Sequence, residues 1–280
     1  MRCLICLLAI FSLWLFGFDA LDSGNNFYNT QIAIASVVQR QISEPEIRRG
    51  EKIAEKAFKE IERGNFAQAE IYWTNLVQEF PENPAVWSNR GNVRIGQHKL
   101  EAAIADFARS IDLAPEYPDS YLNRGIAYEG QQRWDLALAD YNRVLEINPQ
   151  DPIAYNNRGN AKAGQEKWQE ALTDYDLAIA IAPDFALARS NASLVTYQLG
   201  DRTEAIRQMR NLVRKYPMFS DIRAALTAAL WAQGNQGEAE SNWVAAVGLD
   251  NRYQDLDWVK NMRRWPPAMV EALENFLNLN

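Results

Sequence analysis

The chain has 280 residues, 48% hydrophobic and 11% aromatic, with 36 acidic against 29 basic side chains and a net charge of -7. A disordered acidic chain is excluded, because such chains lack the apolar side chains that offset ordering entropy, and nucleic-acid binding is disfavoured where acids outnumber bases. Two cysteines and one histidine leave little material for a disulfide framework, a Cys-ligated zinc site or imidazole chemistry.

At the N-terminus, Arg2 precedes an uncharged stretch from Cys3 to Phe18, followed by Asp19 and a polar, Asn-rich passage. This reads as an export signal or anchor over residues 1–20 and a polar linker over 21–49, since the apolar run is short for a membrane span. Two cleavage sites compete: Ala33-Ile34-Ala35 has small residues in the right places but lies far from the apolar run, while Phe18-Asp19-Ala20 is nearer and chemically poorer. Both cysteines, Cys3 and Cys6, fall in the signal, so everything after it is free of thiols.

From residue 50 the sequence repeats. Pro81, Pro115, Pro149, Pro183 and Pro217 are 34 residues apart, and so are Ala69, Ala103, Ala137, Ala171, Ala205 and Ala239. Six units, starting at Gly50, Pro84, Pro118, Pro152, Ala186 and Ser220, fill residues 50–251. Position 4 is aromatic in Trp87, Tyr121 and Tyr155; position 8 is Gly91, Gly125 and Gly159; position 24 is Trp73, Phe107, Tyr141, Tyr175 and Trp243. Small residues at positions 8 and 20 let two antiparallel helices approach, the bulky residue at 24 fills the gap between units, and the proline ends the second helix. The pattern resembles the tetratricopeptide repeat family over essentially all of residues 50–251. The resemblance implies an all-α, right-handed solenoid of six helix pairs, with residues 252–280 as a helical C-terminal cap.

Three units carry Arg90, Arg124 and Arg158 at position 7, where the family places an aliphatic residue, and the same units carry Asp106, Asp140 and Asp174 at position 23. Because a buried, unpaired guanidinium is costly, this co-occurrence predicts Arg–Asp pairs that bridge the two helices of a unit; an arginine ladder for anions is the alternative.

The inner face of a solenoid is its usual partner surface. In the resembled family, positions 2, 5, 6, 9 and 12 face it. Here position 6 is Asn89, Asn123, Asn157 and Asn191, and Asn92 and Asn160 add amides at position 9. Side-chain amides both donate and accept, so such a ladder can pair with the backbone of an extended segment; it is also common inheritance in the family. The Lys and Arg residues with which some members grip acidic chain ends are absent from positions 2 and 5. Toward the C-terminus the groove turns apolar, with Leu187, Leu194, Tyr197, Ala224, Ala228 and Trp231. A partner helix, a small apolar ligand such as a pigment or lipid, a second copy of the chain, or the chain's own tail could cover it.

In unit five, Arg207, Arg210 and Arg214 recur at helical spacing beside Lys215, a basic stripe that could approach an anionic membrane or an acidic protein and that Lys260, Arg263 and Arg264 could extend. A solvated helix face is the simpler expectation. Beyond it, Asp255 to Arg264 is expected as a helix with Leu256, Val259 and Met262 on one side, then a turn at Trp265-Pro266-Pro267 and a second helix striped with Met269, Leu273, Phe276 and Leu277. The passages Arg252-Tyr253 to Leu256-Asp257-Trp258-Val259 and Arg263-Arg264-Trp265-Pro266-Pro267 resemble the C-terminus of cyanobacterial tetratricopeptide proteins related to the chloroplast lumen common family. That resemblance implies a thylakoid-lumen or periplasmic location and no established activity.

No catalytic constellation, phosphate loop or metal spacing is found, and His98 lies at a turn between helices. No cofactor is implied. The expectation is an exported, non-enzymatic scaffold that holds a protein segment in its groove, with peripheral or anchored membrane association possible and no nucleic-acid partner.

Overall fold

A computed structural model of the chain describes residues 42–278. The export segment, its two cleavage sites and most of the linker lie outside the described residues. The described part is an all-α solenoid of six helix pairs with extra helical turns at its C-terminal end. The pairs are α1 (Glu44–Glu62) with α2 (Phe66–Glu79), α3 (Pro84–Gly96) with α4 (Leu100–Leu113), and α5 (Pro118–Gly130) with α6 (Trp134–Ile147). They continue as α7 (Pro152–Gly164) with α8 (Trp168–Ile181), α9 (Ala186–Gln198) with α10 (Arg202–Lys215), and α11 (Ser220–Ala232) with α12 (Gln236–Leu249).

Local chemistry sets these boundaries. Pro84, Pro118 and Pro152 open their helices at the first turn, where a missing N–H costs nothing. The Asn83 and Asp151 side chains accept from the free N–H groups just beyond them. The first helix starts earlier than the repeat register, inside the stretch read as linker, because Ser43 and Glu46 form a capping box ahead of it.

The close approach within each pair depends on the small residue at position 8. A Cβ at Gly125 would sit 2.5 Å from the Tyr141 ring, and one at Gly91 would sit 2.7 Å from Phe107. Trp73, Phe107 and Tyr141, all at position 24, are completely buried. The six inter-helix turns repeat as well. Their first left-handed residue is Gly64, Gly200 or Gly234 in units one, five and six, but His98, Gln132 and Glu166 in the middle three.

The end of the chain departs from the expected helix. After a 3-10 turn at Asn251–Gln254, one short turn (α13, Leu256–Trp258) widens into a π turn at Val259–Arg263, and Arg264 takes the left-handed conformation with φ 56°. The widened turn buries Val259 but leaves Met262 60% exposed, so the expected apolar side is split. The last helix, α14 (Pro267–Leu277), turns back and packs on α11 and α9.

Candidate functional site: the inner groove and the tail that enters it

The tail (residues 250–278) identifies the inner face by lying on it. Met269, Leu273 and Phe276 of α14 share one buried cluster with Leu194, Tyr197, Ala224 and Ala228. Phe276 meets the edges of Trp231 and Trp243 with ring centroids 5.2 and 5.1 Å apart. Tyr197 is therefore buried and Trp231 half-buried beneath the chain's own residues. The space expected for a small apolar ligand, or for a second copy, is filled by α14.

Asp221, at position 2 of unit six, anchors this arrangement. Its Oδ1 accepts from Arg263 Nε at 2.7 Å, Tyr253 Oη at 2.9 Å and Trp265 Nε1 at 2.9 Å. Its Oδ2 accepts from Arg263 Nη2 at 2.6 Å and Ser190 Oγ at 3.0 Å. Burial by itself would raise this carboxyl, but the Arg263 charge and the hydrogen bonds from Arg263, Trp265 and Tyr253 hold it below the ordinary carboxylate value. Arg263 is raised in turn, because its ionised form is the one Asp221 stabilises against the burial that opposes it. Farther back, the Gln198 side chain accepts from the Ala268 N–H at 2.8 Å, and Arg264 Nη1 donates to Glu129 Oε1 in unit three at 3.0 Å.

The asparagine ladder falls into two parts. In units four and five it closes on itself: Asn191 Nδ2 donates to Asn156 Oδ1 at 3.1 Å and to Asn160 Oδ1 at 3.0 Å, and Asn156 Nδ2 to Asn157 Oδ1 at 3.1 Å. Tyr175 Oη also donates to Asn160. Asn157 and Asn191 are buried. In units two and three the same register positions stand open. Asn92 is exposed and Asn123 half-buried, and neither side chain bonds to another described residue. Asn89 spends only its Nδ2, on the Ala85 carbonyl at 2.9 Å.

The three predicted Arg–Asp combinations are brought together, each bidentate. Arg90 meets Asp106 at 2.9 and 2.7 Å, Arg124 meets Asp140 at 2.8 and 2.7 Å, and Arg158 meets Asp174 at 2.9 and 2.7 Å. All three aspartates are buried. The arginines also lie over the position-4 rings Trp87, Tyr121 and Tyr155, at 5.0, 5.7 and 5.2 Å from the centroids. Arg94 and Lys162 add a second cation to Asp106 and Asp174. With each guanidinium spent on a carboxylate, no free arginine ladder faces an anion.

The position-4 side chain has a second task that the sequence reading missed. Trp87 Nε1 and Tyr121 Oη donate to the carbonyls of Pro81 and Pro115 at 2.8 and 3.1 Å. In units five and six, Arg189 and Arg223 replace the aromatic and donate Nε to Pro183 and Pro217 at 2.5 and 2.6 Å. The signal was present: an N–H or O–H donor six residues after the same proline.

The basic stripe is largely paired. Arg207 binds Glu204, Arg210 binds Glu238 through two hydrogen bonds at 2.8 and 2.5 Å, Arg214 binds Asn211, and Lys215 binds Asp184. Arg263 and Arg264 do not extend it, because both turn into the groove. His98 is a turn residue with φ 58°. Among the described residues no group of three or more His, Cys, Asp or Glu could hold a metal ion, and no helix is long and apolar enough to cross a membrane.

Comparison with known proteins agrees with this geometry. Family models described as tetratricopeptide repeat match residues 124–190 and 191–251, and one described as TPR repeat matches residues 91–132. The chain is a tetratricopeptide-repeat protein. Its fold is similar to that of a tetratricopeptide repeat protein from Parabacteroides merdae ATCC 43184, at TM-score 0.59 and 19% identity, over 83% of this chain and 100% of that one. It is also similar to a thermophilic TPR protein of Thermus thermophilus, at TM-score 0.57 and 18% identity, over 65% and 99% of the two chains. MamA of Desulfovibrio magneticus RS-1 shares the fold at TM-score 0.53 and 16% identity, over 59% and 94%. Among curated proteins none matches.

Proposed function

We propose that this protein is a non-enzymatic interaction scaffold that holds an extended, neutral segment of a partner protein on the inner face of units one to three. The observation that carries the reading is the divided ladder: in units two and three the Asn92 and Asn123 amides bond to no other described residue. Each amide offers a donor and an acceptor from successive units, which suits backbone groups more than particular side chains. A benzophenone amino acid placed at Asn92 in the full chain, in its native cell, tests this. Discrete protein adducts are expected from Asn92 and not from Ser241 on the exposed surface of α12, and they should weaken when Asn123→Ala is added. Adducts of equal yield from both positions, or none from Asn92, would remove the groove from the function.

The proposal includes export, supported by the apolar stretch Cys3 to Phe18, with the signal either cleaved or kept as an anchor. A thylakoid-lumen or periplasmic site in a cyanobacterium is supported by the tail passages Arg252 to Val259 and Arg263 to Pro267. Fractionation should find the chain in the exported or membrane fraction; recovery in the cytosol would overturn this part alone. Assistance in assembling or maintaining thylakoid or envelope proteins follows from that location.

A further inference from the structure

Solenoids are quasi-one-dimensional, because each unit touches only its neighbours. One contact breaks that rule here. Arg264 Nη1 donates to Glu129, 135 residues earlier, so the tail rooted on unit six reaches back to unit three. The root is firm. Arg263, Tyr253 and Trp265 converge on Asp221, and Val259 and Trp265 are buried. The far end is a built joint. The Arg264 guanidinium lies 5.4 Å from the Trp134 ring centroid, and the Glu129 oxygen it leaves free accepts from Tyr141 Oη at 3.0 Å. Arg264 holds a left-handed backbone that disfavours any side chain. The π turn before it points consecutive arginines at two different units.

From this geometry we infer that the tail is a brace: it fixes the spacing of unit three relative to unit six, and the Arg264–Glu129–Trp134 joint is its releasable end. Units one and two lie outside the brace and keep the compliance of an ordinary solenoid. A chain without the joint retains its helices and its α14 packing but samples a wider range of curvatures.

The absence of thiols after Cys6 makes this measurable. In a full chain carrying Cys3→Ser and Cys6→Ser, spin labels are placed at Ala139→Cys in unit three and Ser241→Cys in unit six, both exposed. A second pair, Ala67→Cys and Ala105→Cys in units one and two, is the control. Arg264→Gly is the informative variant, since glycine accepts the left-handed backbone while the whole side chain, guanidinium included, is removed; Glu129→Gln keeps the packing and tests the charge from the other side. The width of the 139–241 distance distribution should at least double in both variants, with the 67–105 distribution unchanged. An unchanged 139–241 distribution in both would overturn the brace. Equal broadening of both pairs would overturn it too, by showing a general loosening.

Discussion

The two halves of this solenoid use the same register for opposite ends. In units two and three, position 7 is an arginine locked to an aspartate between the helices, position 6 is an amide with at most its Nδ2 spent on the helix's own backbone, and the tail meets this stretch at Glu129 through Arg264. In units five and six, Ala192 and Leu226 take position 7, both buried, and the inner face is covered by the chain's last helix. The central pairs therefore cohere through charge-assisted hydrogen bonds that leave the groove free, while the terminal pairs cohere through apolar contact with a tail that consumes it. Recognition capacity and end-capping are separated along one axis.

The largest break in this contrast should come at Asp221. Asp221→Ala leaves the Tyr253 and Trp265 donors without this acceptor and Arg263 with only the long bond to Asn191, and removing one member of such a cluster costs about 3–5 kcal/mol. Urea titration should show the C-terminal units unfolding first, with units one to four less affected. Acid should mimic the substitution. The folded carboxyl lies below its unfolded value, so its contribution is complete above the ordinary carboxylate range near ~3.9 and is lost as pH falls through the folded value. Asp221→Ala should lack that portion of the acid dependence. An acid limb identical to wild type would show that the tail does not rest on this charge.

The Arg–Asp pairs of the middle units should answer differently to single and double change. Asp140→Ala strands Arg124 between the helices and should cost about 2–4 kcal/mol. Arg124→Leu with Asp140→Leu replaces the ion pair by apolar contact, with the leucine that unit six carries at position 7 as Leu226, and should recover most of that loss, as buried ion pairs often can be replaced without penalty. Thermal unfolding of the three variants decides the matter: a double variant no better than Asp140→Ala would mean that the pair contributes geometry that packing cannot replace.

The repeat was legible because every unit restates it, so the six helix pairs and the Arg–Asp register survive any one ambiguous residue. The Asp221 cluster was not, because it is stated once and in pieces. Asp221 holds the same register position as exposed Asp119, and its partners Tyr253, Arg263 and Trp265 lie 32, 42 and 44 residues away. Its charge reads as surface until the tail is seen to return. Arg263 and Arg264 were grouped with the basic stripe by sign alone; backbone geometry at a π turn, which periodicity does not encode, sends them elsewhere. The groove asparagines were named together, yet pairing with Asn156 and Tyr175 in units four and five, with one bond from Arg263 of the tail to Asn191, divides them into two sets.

The smallest expected effect lies at the inter-helix turns, and it sharpens the same comparison. Units one, five and six place glycine at the left-handed position, whereas units two, three and four place His98, Gln132 and Glu166 there with φ 58°, 59° and 61°. Side chains other than glycine are disfavoured in that conformation by roughly 1 kcal/mol, because the Cβ crowds the following carbonyl. Part of that gain is offset by the extra freedom glycine has in the unfolded chain. Each of His98→Gly, Gln132→Gly and Glu166→Gly should therefore stabilise the middle units by about 0.5 kcal/mol. The three substitutions lie in separate turns and share no side-chain hydrogen bond, so they should add, which raises the combined effect above the error of a urea titration. A triple variant no more stable than wild type would mean that these side chains make compensating contacts in the turn, and that strain does not distinguish the middle units from the ends.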